Sequence, residues 1–352
     1  MSYQNIVINH KVRDNECMWS GVEDMYCEYS KHNIPDYFFF ALTGMANFSY
    51  ERGRNKEKRC VQWTGSNVKD MYRIGADIIG YDYMAIQANT SEEAIAFAKD
   101  RIRTGNPVVL GCVDLYEIPY FKGLYHRVHI PVHYLMLTGY NDAEENMYVL
   151  DGGKAEIQSI SYHALARAMK TEGNFQKDVN VLYQIQFRQP LKSVQQIAIE
   201  GFQEKAKEAL KENSIGNGIA GMRLLAKEFP NWEKECSSCE YEQALYHMVR
   251  FAGDVPSLPG RLEGKEEQKM HWAARRQLAQ VLSYFSKELN RPQWQMASNY
   301  FLESGALIEK LVENMTSYLL KERSDLWELP EIIGQIADLE EKAYQQLVIV
   351  KR

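Results

Sequence analysis

The chain has 352 residues, 45% hydrophobic and 25% charged, the composition of an ordinary soluble globular protein. That length exceeds what one hydrophobic core serves and points to two domains. A formal net charge of −6 provides no overall basic field, so nucleic acid and anionic membrane are not expected partners.

The N-terminus, Met-Ser-Tyr-Gln-Asn-Ile-Val-Ile-Asn-His, lacks the basic and apolar regions of a secretory signal. No apolar run approaches the roughly 18–20 residues of a membrane helix, and a cytoplasmic location is expected.

Tyr3 to Ile8 reads as a short strand. Cys17 to Ser30 then reads as a helix, with Met18, Val22, Met25 and Tyr29 spaced three or four apart. Pro35 opens a short helical run from Asp36 to Leu42. Gly44 and Gly53 bracket a strand around Asn47 to Tyr50. The pattern continues as strand Cys60 to Trp63, helix Val68 to Ile79, strand Tyr83 to Gln87 and helix Ser91 to Ile102. The last of these opens with a Thr90/Ser91 cap and has Glu92 and Glu93 in its first turn.

Pro107 to Val113 looks like a buried strand, and Leu115 to Pro131 is a long aromatic-rich connection. Val132 to Tyr140 and Met147 to Asp151 are strand-like runs joined by Asn-Asp-Ala-Glu-Glu-Asn, which reads as a hairpin turn. A strand from Ile157 to Ile160, a helix from Tyr162 to Met169 and a strand from Asn180 to Phe187 complete an α+β unit. Pro190 closes it, which sets the expected domains at 1–189 and 190–352. The remainder reads as helices: Val194 to Leu210, Ile215 to Phe229, Trp232 to Phe251, Glu266 to Leu289, Pro292 to Lys321 and Leu329 to Ile349. Gly253 to Gly260 and several prolines punctuate them, the pattern of an all-α bundle.

Six cysteines are too sparse for a disulfide framework in a chain this long. The Cys236-Ser-Ser-Cys239 pair lacks the second half of a zinc site and reads as structural or incidental. His126, His129 and His133 lie close together, but Pro131 and irregular spacing argue against a metal, and none is expected.

The chemistry points to Cys17, His133 and Asp151. A thiol at a helix start gains from the dipole and the free N–H groups there, although a buried cysteine is also simply a small hydrophobe. His133 opens a strand and Asp151 ends the next. If the two strands pair, Asp151 returns toward the imidazole, fixes its tautomer and leaves the other ring nitrogen for the thiol. A one-residue slip would put the two on opposite faces. Cysteine, then histidine, then aspartate on successive strands is the order in which papain-like folds assemble nucleophile, base and orienter. The Cys17 N–H and the Asn15 side chain are the candidate oxyanion donors. Trp19, Asp114, Tyr116 and Tyr120 are candidate substrate contacts, with sheet covering as the alternative role for the Asp114 to Tyr120 segment.

Glu16-Cys17-Met-Trp-Ser20, Val113-Asp-Leu-Tyr-Glu-Ile-Pro-Tyr120, His133-Tyr-Leu-Met-Leu-Thr-Gly-Tyr140 and Tyr148-Val-Leu-Asp151 together resemble the N-terminal domain of butirosin biosynthesis protein H. The second half is similar in length and helical character to the domain that often follows it. The resemblance implies a papain-like/C39-like cysteine-enzyme domain followed by an all-α bundle, with Cys17 as nucleophile, His133 as base and Asp151 as orienter. It further implies acyl transfer from the phosphopantetheine thioester of an acyl carrier protein to a small amine acceptor, with no other cofactor.

A cysteine peptidase or amidase using the same triad is the first rival, and a non-catalytic binding protein that keeps the fold is the second. Self-association is compatible with the sequence. The family often has a histidine directly before the cysteine, where this chain has Glu16, a carboxylate that disfavours the thiolate.

Overall fold

The computed structural model describes residues 4–11, 13, 15–19, 21–52, 59–64, 68–127, 129–170, 179–212, 216–250 and 275–348. The expected Gly253 to Gly260 punctuation and the start of the helix at Glu266 lie outside the described residues. Contacts divide the chain into two compact units, Met1–Phe40 with Tyr72–Val194, and Ala41–Met71 with Gln195–Arg352.

The first unit is built on an antiparallel sheet. Its strands are β1 (Asn5–Val7), β4 (Tyr81–Gln87), β5 (Val108–Val113), β6 (His133–Asn141), β7 (Asn146–Leu150), β8 (Gln158–Ser161) and β9 (Val181–Phe187), where β2 and β3 are kept for a hairpin of the second unit. The order is β4-β9-β5-β6-β7-β8, with β1 pairing along the far end of β6. The central strand β5 is buried on both faces, as its Val-Val-Leu-Gly-Cys-Val run demands.

Helix α4 (Ser91–Arg103) lies against β5, β6 and β9 and buries Ala94, Ile95, Ala98 and Ile102. Thr90 Oγ1 accepts from the Glu93 N–H, the cap the sequence announced. Helix α5 (Tyr162–Ala168) joins the same core and is capped by Ser161.

The expected helix from Cys17 to Ser30 is interrupted. Cys17–Trp19 form one 3₁₀ turn, and α1 (Val22–Ser30) begins only after Gly21. Gly21 sits at φ 77°, and a Cβ there would meet Met136 Sδ at 2.3 Å. The left-handed residue and the close approach to β6 both require glycine and break the helical path. The thiol therefore does not lie at the first turn of α1.

The second unit holds the hairpin β2 (Ser49–Arg52) and β3 (Arg59–Gln62), together with the helices from α6 onward. The sequence reading assigned residues 41–71 to the first domain and cut the chain once, at 189/190; contacts instead group 41–71 with the C-terminal helices and cut at 194/195. Side-chain contacts explain this. Lys205 donates to Asn47, Tyr344 to the Ala46 carbonyl, Tyr50 to Glu228, and Trp232 stacks on Tyr50.

The helix expected from Trp232 to Phe251 is two. After α6 (Val194–Ala209) and α7 (Gly218–Glu228), the short α8 (Trp232–Glu235) ends at extended Cys236, and α9 (Ser238–Arg250) starts anew. Ser237 Oγ accepts from the Glu240 N–H while Glu240 reaches back to the Ser237 N–H, a capping box that favours a fresh start. Helices α10 (Arg275–Glu288), α11 (Pro292–Leu319) and α12 (Leu329–Val348) pack as successive neighbours. No helix among the described residues is long and apolar enough to cross a membrane.

Candidate active site

The hairpin of β6 and β7 brings histidine and aspartate together. Met136 pairs with Leu150 and Leu137 with Val149, and the irregularity near Gly139 lies beyond them. Side chains two apart share a face, so Asp151, one residue past β7, falls on the side of Leu135 and His133. His133 Nε2 lies 2.8 Å from Asp151 Oδ1 and 3.0 Å from Oδ2. A carboxylate only accepts, so Nε2 carries the proton and Nδ1 is left as the basic ring atom.

Asp151 is fully buried and takes a further hydrogen bond, 2.7 Å from the Tyr120 hydroxyl. Burial first, and the Asp151 charge second, push the Tyr120 hydroxyl well above its ordinary range, so it remains a donor. Tyr120, expected at the substrate, is therefore a partner of the carboxylate. Phe121 stands edge-on to His133 at 5.3 Å between centroids.

Cys17 is buried on its 3₁₀ turn, which packs on β6, and the Tyr134 backbone N–H favours its thiolate. Three other influences act the opposite way. Burial dominates, Glu16 follows with a carboxylate oxygen 3.4 Å from Sγ, and Asp151 adds a smaller push, so the thiol is held well above its ordinary range. Cys17 rests protonated.

Glu16→Gln removes the charge and should lower the thiol pKa. Each unit lowered multiplies the thiolate fraction by about ten. Iodoacetamide labelling of Cys17 at pH 7.5, followed by peptide mass spectrometry, should rise accordingly; an unchanged rate would show the two groups to be uncoupled.

Aromatic packing fixes the turn that carries Cys17. The Tyr72 hydroxyl donates to the Met18 carbonyl, and Tyr81 donates to the Tyr72 carbonyl. Trp19 is fully buried, edge-on to Phe39, Tyr72 and Tyr81, so it buttresses the turn and offers no surface to a substrate.

Asn15 is also buried. Its Oδ1 accepts from the Glu16 N–H at 2.8 Å, and its amide lies near the Glu23 carboxylate. Glu23 is fully buried, accepts from the Phe39 N–H and is pushed up to about 8, chiefly by burial. Asp24, beside Arg13, is pushed to about 7, again chiefly by burial. Both acids bind a proton more tightly folded than unfolded. Their stabilisation is complete below the ordinary carboxylate range and is lost as pH rises to about 7 and 8. Thermal melts should fall from pH 5 to 8, and Glu23→Gln should flatten that fall by on the order of 4 kcal/mol.

Asp114 does not face a substrate either. It is fully buried, with Oδ1 accepting from the Tyr116 and Ile130 N–H groups and Oδ2 2.6 Å from His129 Nδ1. Tyr116 stacks on His129 at 4.0 Å, and His126 faces Glu117. These contacts close the connection between β5 and β6, which carries Tyr120 and Phe121 to Asp151 and His133. Among the described residues no group of three or more His, Cys, Asp or Glu is arranged to hold a metal ion.

Residues 16–152 match the family model described as butirosin biosynthesis protein H, N-terminal. Over these residues the chain is similar to that family. Its match spans Cys17, His133 and Asp151, and ends one residue after the aspartate. Residues 163–254 match a domain of unknown function, DUF4872. That second match starts in α5 and runs into the helical region, across the division between the two units. A search of curated proteins gives no match.

Sequence reasoning missed the Tyr134 N–H beside Cys17 and the Phe121 ring beside His133.

Proposed function

We propose that the chain is a cysteine-dependent acyltransferase of papain-like/C39-like architecture, acting in natural-product biosynthesis. The observation that carries this reading is the His133–Asp151 pair, on a strand whose next residue, Tyr134, turns its N–H to the Cys17 thiol.

In the first step Cys17 Sγ attacks the carbonyl of a carrier-protein thioester while His133 Nδ1 takes the thiol proton. The Sγ–carbon bond forms, the carrier C–S bond breaks, and the proton passes to the departing sulfur. Asp151 steadies the imidazolium between these events. The Cys17 N–H is the proposed oxyanion donor, since the Asn15 amide is turned to the Glu23 carboxylate. An amine acceptor then attacks the acyl-enzyme, its proton returns through His133 to Cys17, and an amide leaves. Thioester exchange is nearly balanced and amide formation is downhill, so the donor's own activation supplies the driving force.

A peptidase or amidase would use the same residues but deliver the acyl group to water. Product analysis with a simple thioester and a primary amine tests the assignment. Amide in excess of free acid supports transfer; free acid alone, together with peptide cleavage, would replace it by hydrolysis. One observation favours a second reading, a binding protein that keeps the fold: Glu16 and burial hold the thiol protonated. Absence of both products would establish that one.

A further inference from the structure

The charges at the thiol are negative, Glu16 beside it and Asp151 behind His133. A centre with only those groups repels an anionic substrate. Among the described residues, the cation Lys154 is tied to the turn that follows Asp151.

The Lys154 N–H donates to the Asp151 carbonyl at 3.2 Å, so the turn that follows the catalytic carboxylate also fixes the lysine backbone. Its ammonium lies 4.0 Å from the centroid of Phe121 and 5.6 Å from that of Tyr120. Those rings touch His133 and Asp151 respectively. Two other cations of this unit sit on carboxylates, Lys99 on Asp142 and Arg167 on Glu117. Lys154 has no carboxylate partner among the described residues. An ammonium on aromatic faces keeps its full charge while its position is held.

We propose that Lys154 is a binding group for an anionic part of the acyl donor, a carboxylate on the acyl chain or the phosphate of the carrier's phosphopantetheine arm. The assignment rests on reading Cys17 as the nucleophile. It gives the site a way to accept a negatively charged donor despite Glu16 and Asp151, through a lysine tied to the same turn as the catalytic carboxylate. Both sources present the same chemistry to the ammonium, an oxyanion with open acceptor positions.

Two pairs of alkylating agents that differ in charge test this at Cys17 without any thioester. Iodoacetate is compared with iodoacetamide, and 3-maleimidopropionate with N-ethylmaleimide, on the full-length protein. Lys154→Met should lower the charged-to-neutral rate ratio about five- to tenfold in at least one pair, and Lys154→Arg should retain it. Equal slowing of both reagents would mean that Lys154 merely props the rings. That result, or unchanged ratios, overturns the proposal.

Acylation by glutaryl against butyryl N-acetylcysteamine thioesters, and by butyryl-phosphopantetheine against butyryl-pantetheine, locates the charge. A preference for the charged donor in either pair that Lys154→Met abolishes supports the assignment and names the source; no preference in either overturns it. If no thioester acylates Cys17, the transferase reading fails while the alkylation ratios still judge the anion site.

Discussion

Asp151→Asn should slow acylation of Cys17 by about three to four orders of magnitude while leaving the protein folded. The buried carboxylate accepts from His133 Nε2 and from the Tyr120 hydroxyl. An asparagine keeps the volume but turns half of the group into a donor. If its amide nitrogen faces Nε2, the imidazole must present a lone pair there and carry its proton on Nδ1. That is the wrong tautomer for taking a proton from a thiol. The same exchange in a serine-protease triad lowers turnover by about 10⁴, which sets the scale. Rapid-quench acylation with a thioester measures the effect. A loss below about tenfold would show that Asp151 serves packing and does not orient His133.

Glu340→Gln should destabilise the helical unit by about 3–5 kcal/mol, because it removes the negative charge that Glu340 sets against a buried guanidinium. Arg275 and Glu340 are both essentially inaccessible and meet in two contacts, Nε to Oε1 at 2.8 Å and an Nη to Oε2 at 3.1 Å. Ser304 donates to the same carboxylate, and Arg275 also donates to the Trp63 carbonyl. Lys205 lies in the same interior, donating to Asn47, and is pushed down to about 7, by burial first and by Arg275 second. The lost carboxylate therefore leaves two cationic groups, and Lys205 should lose its proton more readily in the variant. Urea unfolding checks the prediction. The double variant Arg275→Met, Glu340→Leu should recover most of the loss, since the guanidinium is removed with its carboxylate and Lys205 is freed of the Arg275 charge that pushes it down.

How much of this was legible in the sequence depends on the range of the contacts involved. The β6–β7 hairpin was readable because two apolar runs flank a polar turn, and that nominated both His133 and Asp151. Their register was not, since it rests on cross-strand pairing such as Met136 with Leu150. The apolar period from Met18 to Tyr29 runs through Gly21 and concealed the break there; only the approach of Met136 explains it. Tyr120 and Asp114 looked like substrate contacts because aromatic and acidic residues in a long loop suggest binding. Their hydrogen bonds to Asp151 and to the ends of that loop arise from tertiary closure, which local pattern does not encode. The grouping of residues 41–71 with the C-terminal helices was illegible for a related reason. A short hairpin carries no local mark of which core will receive it, and contacts such as Tyr344 to Ala46 decide the matter.

The most direct measurement is intact mass after mixing the full-length protein with a panel of N-acetylcysteamine and carrier-protein thioesters. The account predicts a mass gain equal to one acyl group, mapped to Cys17, absent in Cys17→Ala and discharged by a primary amine. No gain with any thioester, or a gain that persists in Cys17→Ala, would contradict it.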